Sequence, residues 1–204
     1  MKIRKHLYDL PDEFCEGIIT LAIDTETMGL NLKRDRLCVV QLLINEKEIH
    51  VIHFPKPRYD SPNLKRILGD KDIFKLFHFA RFDMSSIYIN LGILVTNVAC
   101  TRILSKVTRT YSDKHGLKEL CRELLKKDLN KSEQSSDWGN EELNQAQINY
   151  AASDVQYLHE IFNILKDIAV RENRYQIADL TFSLLPSVVL LDRTEFDFSE
   201  LINF

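Results

Sequence analysis

Short apolar runs rich in β-branched residues are the feature of this chain that most constrains its fold. The run "GIITLAIDTET" is followed by "RLCVVQLLIN" and "EIHVIHF", with polar breaks between them. Such runs are typical of strands. A fourth strand is predicted in "IFKLFHF", and a fifth at the start of "NVACTRILSKV", which becomes helical further on. The first half of the chain therefore predicts a sheet.

Helical patterns alternate with the later strands and then replace them. A short helix is predicted to end at Gly69, and the segment "ARFDMSSIYINLGI" predicts a second helix that Gly92 closes. The segment "HGLKELCRELLKK" predicts an amphipathic helix. Strands followed by alternating strands and helices favour a mixed α/β domain.

The last third of the chain is predicted to be helical. Asn144 and Gln147 fit the N-cap and N3 positions of a capping-box variant, so a helix is predicted from about Asn144 through Leu165. A last helix is predicted from about Arg171 to Leu185, followed by an apolar tail. Without repeats or linkers, we expect one domain, residues 1–204. Its C-terminal helix and tail, about 171–204, would either form subunit contacts or fold back on the domain.

Composition limits the classes of protein to consider. The chain has 204 residues, enough for one domain with a real core. Its net charge is −3, so it does not have the excess of basic residues that is typical of proteins that bind long nucleic acids. No run approaches the ~20 apolar residues of a membrane span, and the start lacks a signal peptide. Four cysteines without a C-x-x-C pair indicate reduced core thiols in a cytoplasmic protein: Cys15, Cys38, Cys100 and Cys121.

Four acids lie at predicted strand ends and in early helix turns. Asp24 and Glu26 are two residues apart on a strand, so their side chains share one face. Asp83 follows another strand, where the start of a helix favours an acid. Asp154 lies one helical turn after Tyr150, on the same face, beside apolar residues. Asp24, Glu26 and Asp83 are each explained alone by solvent exposure or by the helix dipole. Asp154 is not, because it needs a partner and no lysine or arginine occurs from Ser132 to Leu165.

A fold that gathers these acids would have to neutralise them. Two divalent cations would balance the four negative charges, and oxygen ligands suit Mg²⁺ or Mn²⁺. Two such ions are the usual arrangement for phosphoryl transfer. Tyr150 would then orient the attacking water, since an ordinary tyrosine pKa of ~10 makes it a poor base. Standing alone, Tyr150 would be a half-buried aromatic residue.

These residues resemble, in order, the three motifs of the DEDDy 3′–5′ exonucleases. The motifs are "DTET", "ARFD" and the Y-x-x-x-D of Tyr150 and Asp154; Asn149 occupies the position of the DEDDh histidine. The stretch "KSEQSSDW…AQINYAASDVQYL" is similar to the ribonuclease D group. The stretches "DTETMGL…RDRLCVVQL", "FHFARFD", "SKVTRTYSDKHGLKELC" and "QSSDW" are similar to the nanoRNase C family, short bacterial enzymes that cleave dinucleotides. The resemblance covers roughly residues 21–168.

The resemblance implies an RNase H-like fold, a mixed sheet flanked by helices. It implies that Asp24, Glu26 and Asp154 hold one metal ion and that Asp24 bridges to a second. Asp83 would support the second ion through water, and Tyr150 would orient the nucleophilic water. It also implies a homo-oligomer, an octameric ring in nanoRNase C.

Further residues are weaker candidates for substrate contacts. Each has an alternative explanation as a turn, core or solvated surface residue, and His78 is better explained as a hydrogen-bonded core histidine. They are Met28, Gly29, Leu30, His78, Arg109, His115, Gln134, Ser135, Ser136 and Trp138.

The sequence therefore predicts a metal-dependent 3′–5′ exoribonuclease that hydrolyses short RNA, dinucleotides above all, to nucleoside 5′-monophosphates. A broader ribonuclease D-like exonuclease acting on longer RNA or DNA is one alternative. A catalytically silent RNA-binding scaffold is another.

Overall fold

A computed structural model of the chain describes residues 1–130 and 132–194. Six strands form one sheet: β1 (Lys2–Leu7), β2 (Thr20–Thr27), β3 (Leu37–Ile44), β4 (Glu48–His53), β5 (Phe74–Phe77) and β6 (Val98–Cys100). Their order across the sheet is β1-β4-β3-β2-β5-β6. The central strands β2, β3 and β4 are antiparallel to their neighbours in that group. Three parallel pairings extend the sheet: β1 with β4, β5 with β2, and β6 with β5. The five predicted strands are confirmed, and so is the mixed sheet.

Strand β1 is the element that the sequence did not predict. Its segment, "KIRKHL", contains three charged residues in six and is only partly buried. It pairs with β4 at the edge of the sheet, where lysine side chains are common because they discourage further strand pairing. In contrast, all eight residues of β3 are buried, and seven of them are apolar.

Seven α-helices accompany the sheet in the described part of the chain: α1 (Pro62–Gly69), α2 (Ala80–Leu91), α3 (Thr101–Thr108), α4 (Leu117–Leu120), α5 (Gln145–Gln156), α6 (Leu158–Arg171) and α7 (Tyr175–Leu191). Helix α4 continues as a π-helical segment, Cys121–Leu125. Helix α5 packs on β2, β3 and β4, and α2 packs on β2, β3 and β5. Helix α3 packs on α6, and α7 packs on α2 and α3.

Two helix boundaries predicted from the sequence are wrong. The predicted helix through Leu165 is broken at Tyr157, whose φ of −111° and ψ of 2° are not helical, so α5 ends at Gln156 and α6 begins at Leu158. No glycine or proline marks this break. The last helix begins at Tyr175 and not near Arg171, because Asn173 adopts a positive φ of 58°. It then runs past Pro186 to Leu191, and the rest of the predicted tail, 195–204, lies outside the described residues.

The structure confirms that the cysteines are core thiols. All four are buried and free of disulfides, and burial raises the pKa of the Cys38 thiol to about 11. Among the described residues, no helix is both long and apolar enough to cross a bilayer.

Candidate active site

The end of strand β2 positions the first two acids. Its pairing with β5 ends at Ile23, whereas its pairing with β3 continues past Asp24 and Glu26. One edge of β2 is therefore open where the acids lie. The two-residue period of the strand directs both carboxylates to the same side, as predicted.

Helix α2 supplies the third acid from its first turn. Asp83 is 4% exposed, and its Oδ1 accepts hydrogen bonds from the Thr25 amide at 3.0 Å and the Thr25 hydroxyl at 2.6 Å. Burial raises the pKa of Asp83 to about 7, although the bonds from Thr25 oppose the rise. Asp83 is thus fixed to the strand that carries Asp24 and Glu26.

Helix α5 supplies the fourth acid and the tyrosine. Its N-terminus is fixed by the predicted capping box: the Gln147 amide donates to Asn144 Oδ1 at 2.9 Å, and the Asn144 amide donates to Gln147 Oε1 at 3.0 Å. Tyr150 and Asp154 lie one turn apart on this helix and are joined by a side-chain hydrogen bond. Carboxylate oxygens of Asp24, Glu26 and Asp154 lie within 4.8 Å of one another.

We call Asp24, Glu26, Asp83 and Asp154 the acidic cluster. Burial, and then the neighbouring carboxylates, hold the pKa values of Asp24 and Glu26 well above their ordinary range. Within residues 1–130 and 132–194, no lysine, arginine or histidine forms an ion pair with Asp24, Glu26 or Asp83. Like charges this close are costly without a compensating cation. Hard oxygen ligands in this number suit a divalent cation.

The acidic cluster opens into a cavity of about 600 Å³. Its wall includes thirteen residues that the sequence singled out: Asp24, Glu26, Met28, Gly29, Leu30, His78, Asp83, Gln134, Ser135, Ser136, Trp138, Tyr150 and Asp154. The wall also contains Thr25, Thr27, Phe79, Phe82, Arg102, Gly116 and Leu117. The structure therefore brings most of the predicted residues to one surface.

Two segments on the cavity wall are held in place by hydrogen bonds. The Gln147 amide group donates to Ser136 Oγ at 3.1 Å and to the Asp137 carbonyl at 3.0 Å, which fastens the loop 134–138 to α5. Trp138 on that loop is buried and packs against Tyr150, with ring centroids 5.9 Å apart. A Cβ on Gly29 would come within 2.4 Å of Asp35 Oδ2, so a larger residue there would displace the Asp35 carboxylate, which accepts a hydrogen bond from the Asn31 amide at 3.0 Å.

Two predicted residues are not brought to the cavity. The alternative explanation for Arg109 was a solvent-exposed segment of polar residues. Its side chain is instead buried, and it donates to the Lys114 carbonyl at 2.6 Å, to Ser105 Oγ at 3.1 Å and to Glu123. His115 bonds to Ser105 Oγ at 2.9 Å through Nδ1. The solvated-surface expectation is therefore wrong for Arg109, because the fold uses its guanidinium to tie together backbone and side chains from three segments.

His78 fits both of its sequence interpretations. Its Nδ1 lies 2.9 Å from Thr101 Oγ1, as expected of a hydrogen-bonded histidine, yet the residue also lines the cavity.

The sequence did not predict Thr25, Phe79 and Arg102 as residues of the cavity wall. Thr25 lies between the two acids of β2, and the sequence pattern assigned no role to it. No local sequence pattern around Phe79 or Arg102 predicts that these residues line the cavity.

A cavity that gathers four acids at the open end of a central strand is typical of metal-dependent nucleases. The model of a 3′–5′ exonuclease family matches residues 7–169. The chain therefore belongs to that 3′–5′ exonuclease family.

Individual relatives agree with the family. NrnC of Brucella melitensis, the nanoRNase C of that organism, was solved bound to pGG; it is 45% identical to this chain, with a TM-score of 0.91 over 97% of this chain and 98% of that one. The same protein was solved with bound Mg²⁺, at 44% identity and a TM-score of 0.90 over the same shares of the two chains. Ribonuclease D of Gluconacetobacter diazotrophicus is 31% identical over 76% of this chain, which spans only 39% of that relative. The resemblance drawn from the motifs is confirmed.

Proposed function

We propose that this protein is a metal-dependent 3′–5′ exoribonuclease that hydrolyses short RNA, dinucleotides most of all, to nucleoside 5′-monophosphates. The observation that carries the proposal is the convergence of Asp24, Glu26 and Asp154, whose carboxylate oxygens lie within 4.8 Å of one another on the cavity wall. Family membership agrees with this reaction, since its members are 3′–5′ exonucleases.

The acidic cluster fits two divalent cations, Mg²⁺ or Mn²⁺. Asp24, Glu26 and Asp154 would hold one ion, with Asp24 shared with a second ion that Asp83 supports. The fit rests on the donor set: carboxylates only, crowded enough to raise their own pKa values and without a cationic side chain paired to Asp24 or Glu26 in the described chain. Bound divalent cations polarise a phosphodiester and favour ionisation of water near neutral pH.

Tyr150 acts as a positioning residue in this proposal. Burial and the neighbouring carboxylates raise the pKa of its phenol above the ordinary value, so the hydroxyl keeps its proton at neutral pH. A protonated phenol donates a hydrogen bond and does not serve as a base. Its bond to Asp154 holds the hydroxyl beside the acids. From there it orients the attacking water.

The cavity wall supports a short substrate. The segment Met28–Leu30 is exposed at its two apolar side chains, 58% and 85%, and offers a surface for a terminal base. The loop 134–138 presents Gln134 and two serines on the same wall and supplies donors for a phosphate. The net charge of −3 gives no general attraction for a long polyanion. The pGG bound to the Brucella relative is a nucleotide pair of the proposed size.

A broader exonuclease is the second candidate. Ribonuclease D proteins and a DNA polymerase I of Aquifex aeolicus, 32% identical over 72% of this chain, share this domain. Each is much longer than the chain, which spans 39% and 24% of them, respectively. An enzyme of that kind would shorten long RNA or DNA at rates similar to those for dinucleotides.

Graded substrates separate the two candidates. Purified protein is incubated with 5′-labelled RNA of two, seven and twenty nucleotides and with the matching DNA, in Mg²⁺, in Mn²⁺ and in chelator. The proposal expects metal-dependent turnover with kcat/KM highest for the RNA dinucleotide. Equal values for all lengths would favour the broader exonuclease, and turnover in chelator would contradict the metal requirement.

We also propose that the protein forms a homo-oligomer, with an octamer as the expected size. Helix α7 leaves an apolar stripe at helical spacing exposed: Ile177 is 58%, Leu180 61% and Leu184 50% exposed. Large apolar side chains grouped in this way are typical of contact surfaces. Mass measurement by light scattering should give a multimer that Leu180→Glu disrupts, whereas Glu172→Gln near the start of the same helix should not.

A further inference from the structure

Phe79 combines a strained backbone with an exposed ring on the cavity wall. It links β5 to α2 with φ 67° and ψ 41°, the left-handed region that side chains other than glycine disfavour. Seven non-glycine residues of the described chain have positive φ, and Phe79 alone among them lines the cavity. The side chain is 53% exposed, so core packing does not explain a phenylalanine there. Strain of this kind concentrates where a side chain has a function.

Arg102 fixes the ring of Phe79. It lies in the first turn of α3, and its guanidinium carbon is 4.4 Å from the centroid of the Phe79 ring. That distance is a cation–π contact, which orients the ring, and the residue remains 53% exposed. Arg102 Nε is buried and makes no hydrogen bond within the described residues. Arg102 is also the one arginine or lysine among the described residues on the cavity wall.

Two further facts place this pair beside the acidic cluster. Phe79 is the N-cap residue of α2, whose first turn carries Asp83, and Asp83 is bonded to Thr25 between the two acids of β2. Phenylalanine has no hydrogen-bonding group, so it offers a flat apolar surface and cannot read base edges. The arginine behind it supplies positive charge on an otherwise acidic wall.

We infer that Phe79, supported by Arg102, is the platform on which one base of the substrate stacks. This inference rests on the proposed function and adds how the base is held: by its flat face, without selection among the four bases. Stacking of a base on an aromatic side chain is worth about 5- to 150-fold in affinity when the aromatic group is removed. We therefore expect a comparable loss from Phe79→Ala.

Abasic substrates test the stacking directly. Kinetic constants are measured for wild type and Phe79→Ala on a dinucleotide, and on two analogues that lack either the 5′ or the 3′ base. We expect kcat/KM on the full dinucleotide to fall about tenfold or more, mainly through KM. On one abasic analogue, the two proteins should be equal. The same fractional loss on all three substrates would overturn the inference, because Phe79 would then act without a base.

A binding signal separates this inference from the proposed function. A dinucleotide carrying 2-aminopurine is titrated into each protein, and its fluorescence should be quenched by stacking in wild type and much less in Phe79→Ala. Wild type that quenches the probe but hydrolyses nothing would refute the proposed function and leave the platform supported. Wild type that hydrolyses dinucleotides with equal quenching in both proteins would refute the platform alone.

Stability distinguishes a functional from a structural role. Glycine accepts the φ of 67° without strain, so Phe79→Gly should melt no lower than wild type while losing affinity as Phe79→Ala does. A clear fall in the Tm of Phe79→Gly would show that Phe79 has a structural role.

Arg102→Met tests the supporting role of the arginine, because it removes the charge and keeps most of the side-chain volume. It should weaken stacking less than Phe79→Ala, and the double variant should lose no more than Phe79→Ala alone; additive losses would contradict the supporting role.

Discussion

The acidic cluster and the β1 edge of the sheet both contain ionisable side chains, but the charges are compensated differently in the two regions. We call Arg4, His6, Glu48 and His50, on β1 and β4, the histidine edge. There Arg4 Nε bonds to Glu48 Oε2 at 2.8 Å, and His6 Nε2 lies 3.0 Å from His50 Nδ1. Burial, and then His6, lower the pKa of His50 to about 4, so its ring stays neutral at physiological pH.

Three acids of the acidic cluster lack such an ion pair: Asp24, Glu26 and Asp83 have no partner among the described cationic residues. Burial, and then neighbouring carboxylates, raise the pKa values of Asp24 and Glu26, and burial raises the pKa of Asp83. Charged groups kept for stability are paired or neutral, as at the histidine edge, because an uncompensated buried charge is costly. Groups gathered against this rule are typical of functional sites. The comparison therefore distinguishes a structural from a reactive use of ionisable residues.

The largest expected effect comes from removing a charge of the acidic cluster. Asp24→Asn and Asp154→Asn should each lower turnover of an RNA dinucleotide at least about a thousandfold, about 4 kcal/mol of transition-state stabilisation, because a cation ligand is lost. Calorimetric titration should show weaker Mn²⁺ binding, with an unchanged circular dichroism spectrum. Asp167→Asn, an exposed acid on α6, is the matched control. Turnover within tenfold of wild type in Asp24→Asn or Asp154→Asn would contradict the assignment of the acidic cluster as a reactive site.

The second prediction concerns the opposite pH dependence of the two regions. The folded-state pKa of His50 is about 4, below the ordinary 6.5, so the unfolded chain binds more protons between these values. Its contribution to the free energy of unfolding is thus present above pH 6.5 and lost as the pH falls toward 4. The loss is at most about 3 kcal/mol. His50→Gln, which stays neutral, should reduce the loss of Tm between pH 6.5 and 4.

Asp83 provides the control of opposite sign. Its folded-state pKa of about 7 lies above the ordinary 3.8, so its contribution is present at low pH and lost as the pH rises through 7. In metal-free protein, Asp83→Asn should therefore raise the Tm at pH 8 and leave it nearly unchanged at pH 4. A His50→Gln variant with the same acid sensitivity as wild type would show that the histidine edge does not bury a neutral ring.

The same contrast shows what the sequence could predict. The acids of β2 were found because the strand period and an apolar run are local signals. The cap at Asn144 predicted where α5 begins and hence that Tyr150 and Asp154 share a face. Strand β1 was missed because its charged residues only become a strand by pairing with β4.

Residues defined by tertiary contacts were beyond the sequence. The buried side chain of Arg109 bonds to Glu123 and to the Lys114 carbonyl, and no local sequence pattern predicts these contacts. The left-handed backbone of Phe79 and its contact with Arg102 likewise join two helix starts that are 23 residues apart in the chain. Sequence patterns thus locate the acids and several residues of the cavity wall, whereas the places of Phe79 and Arg102 on that wall depend on tertiary packing.

The third prediction tests the role of Tyr150 within the acidic cluster. Tyr150→Phe removes the hydroxyl that bonds to Asp154 but keeps the ring packed on Trp138. We expect kcat to fall about 10- to 100-fold with Mn²⁺ affinity unchanged, because water is less well positioned while the carboxylates remain. Tyr157→Phe, another half-buried tyrosine, is the control and should match wild type. An unchanged rate in Tyr150→Phe would make Tyr150 a packing residue.

The smallest effect is expected at the histidine edge, where charge is already paired. Arg4 and Glu48 form an ion pair that remains about one-third exposed on each side chain, so water screens it. Glu48→Gln should shift the Tm by at most about 2 °C and leave kcat/KM unchanged. Glu16→Gln, an exposed acid in a loop, sets the background for a charge change of the same size. A large Tm loss in Glu48→Gln alone would show that the edge depends on its charges as strongly as the acidic cluster does, and the distinction between paired structural charges and gathered reactive ones would then fail for this fold.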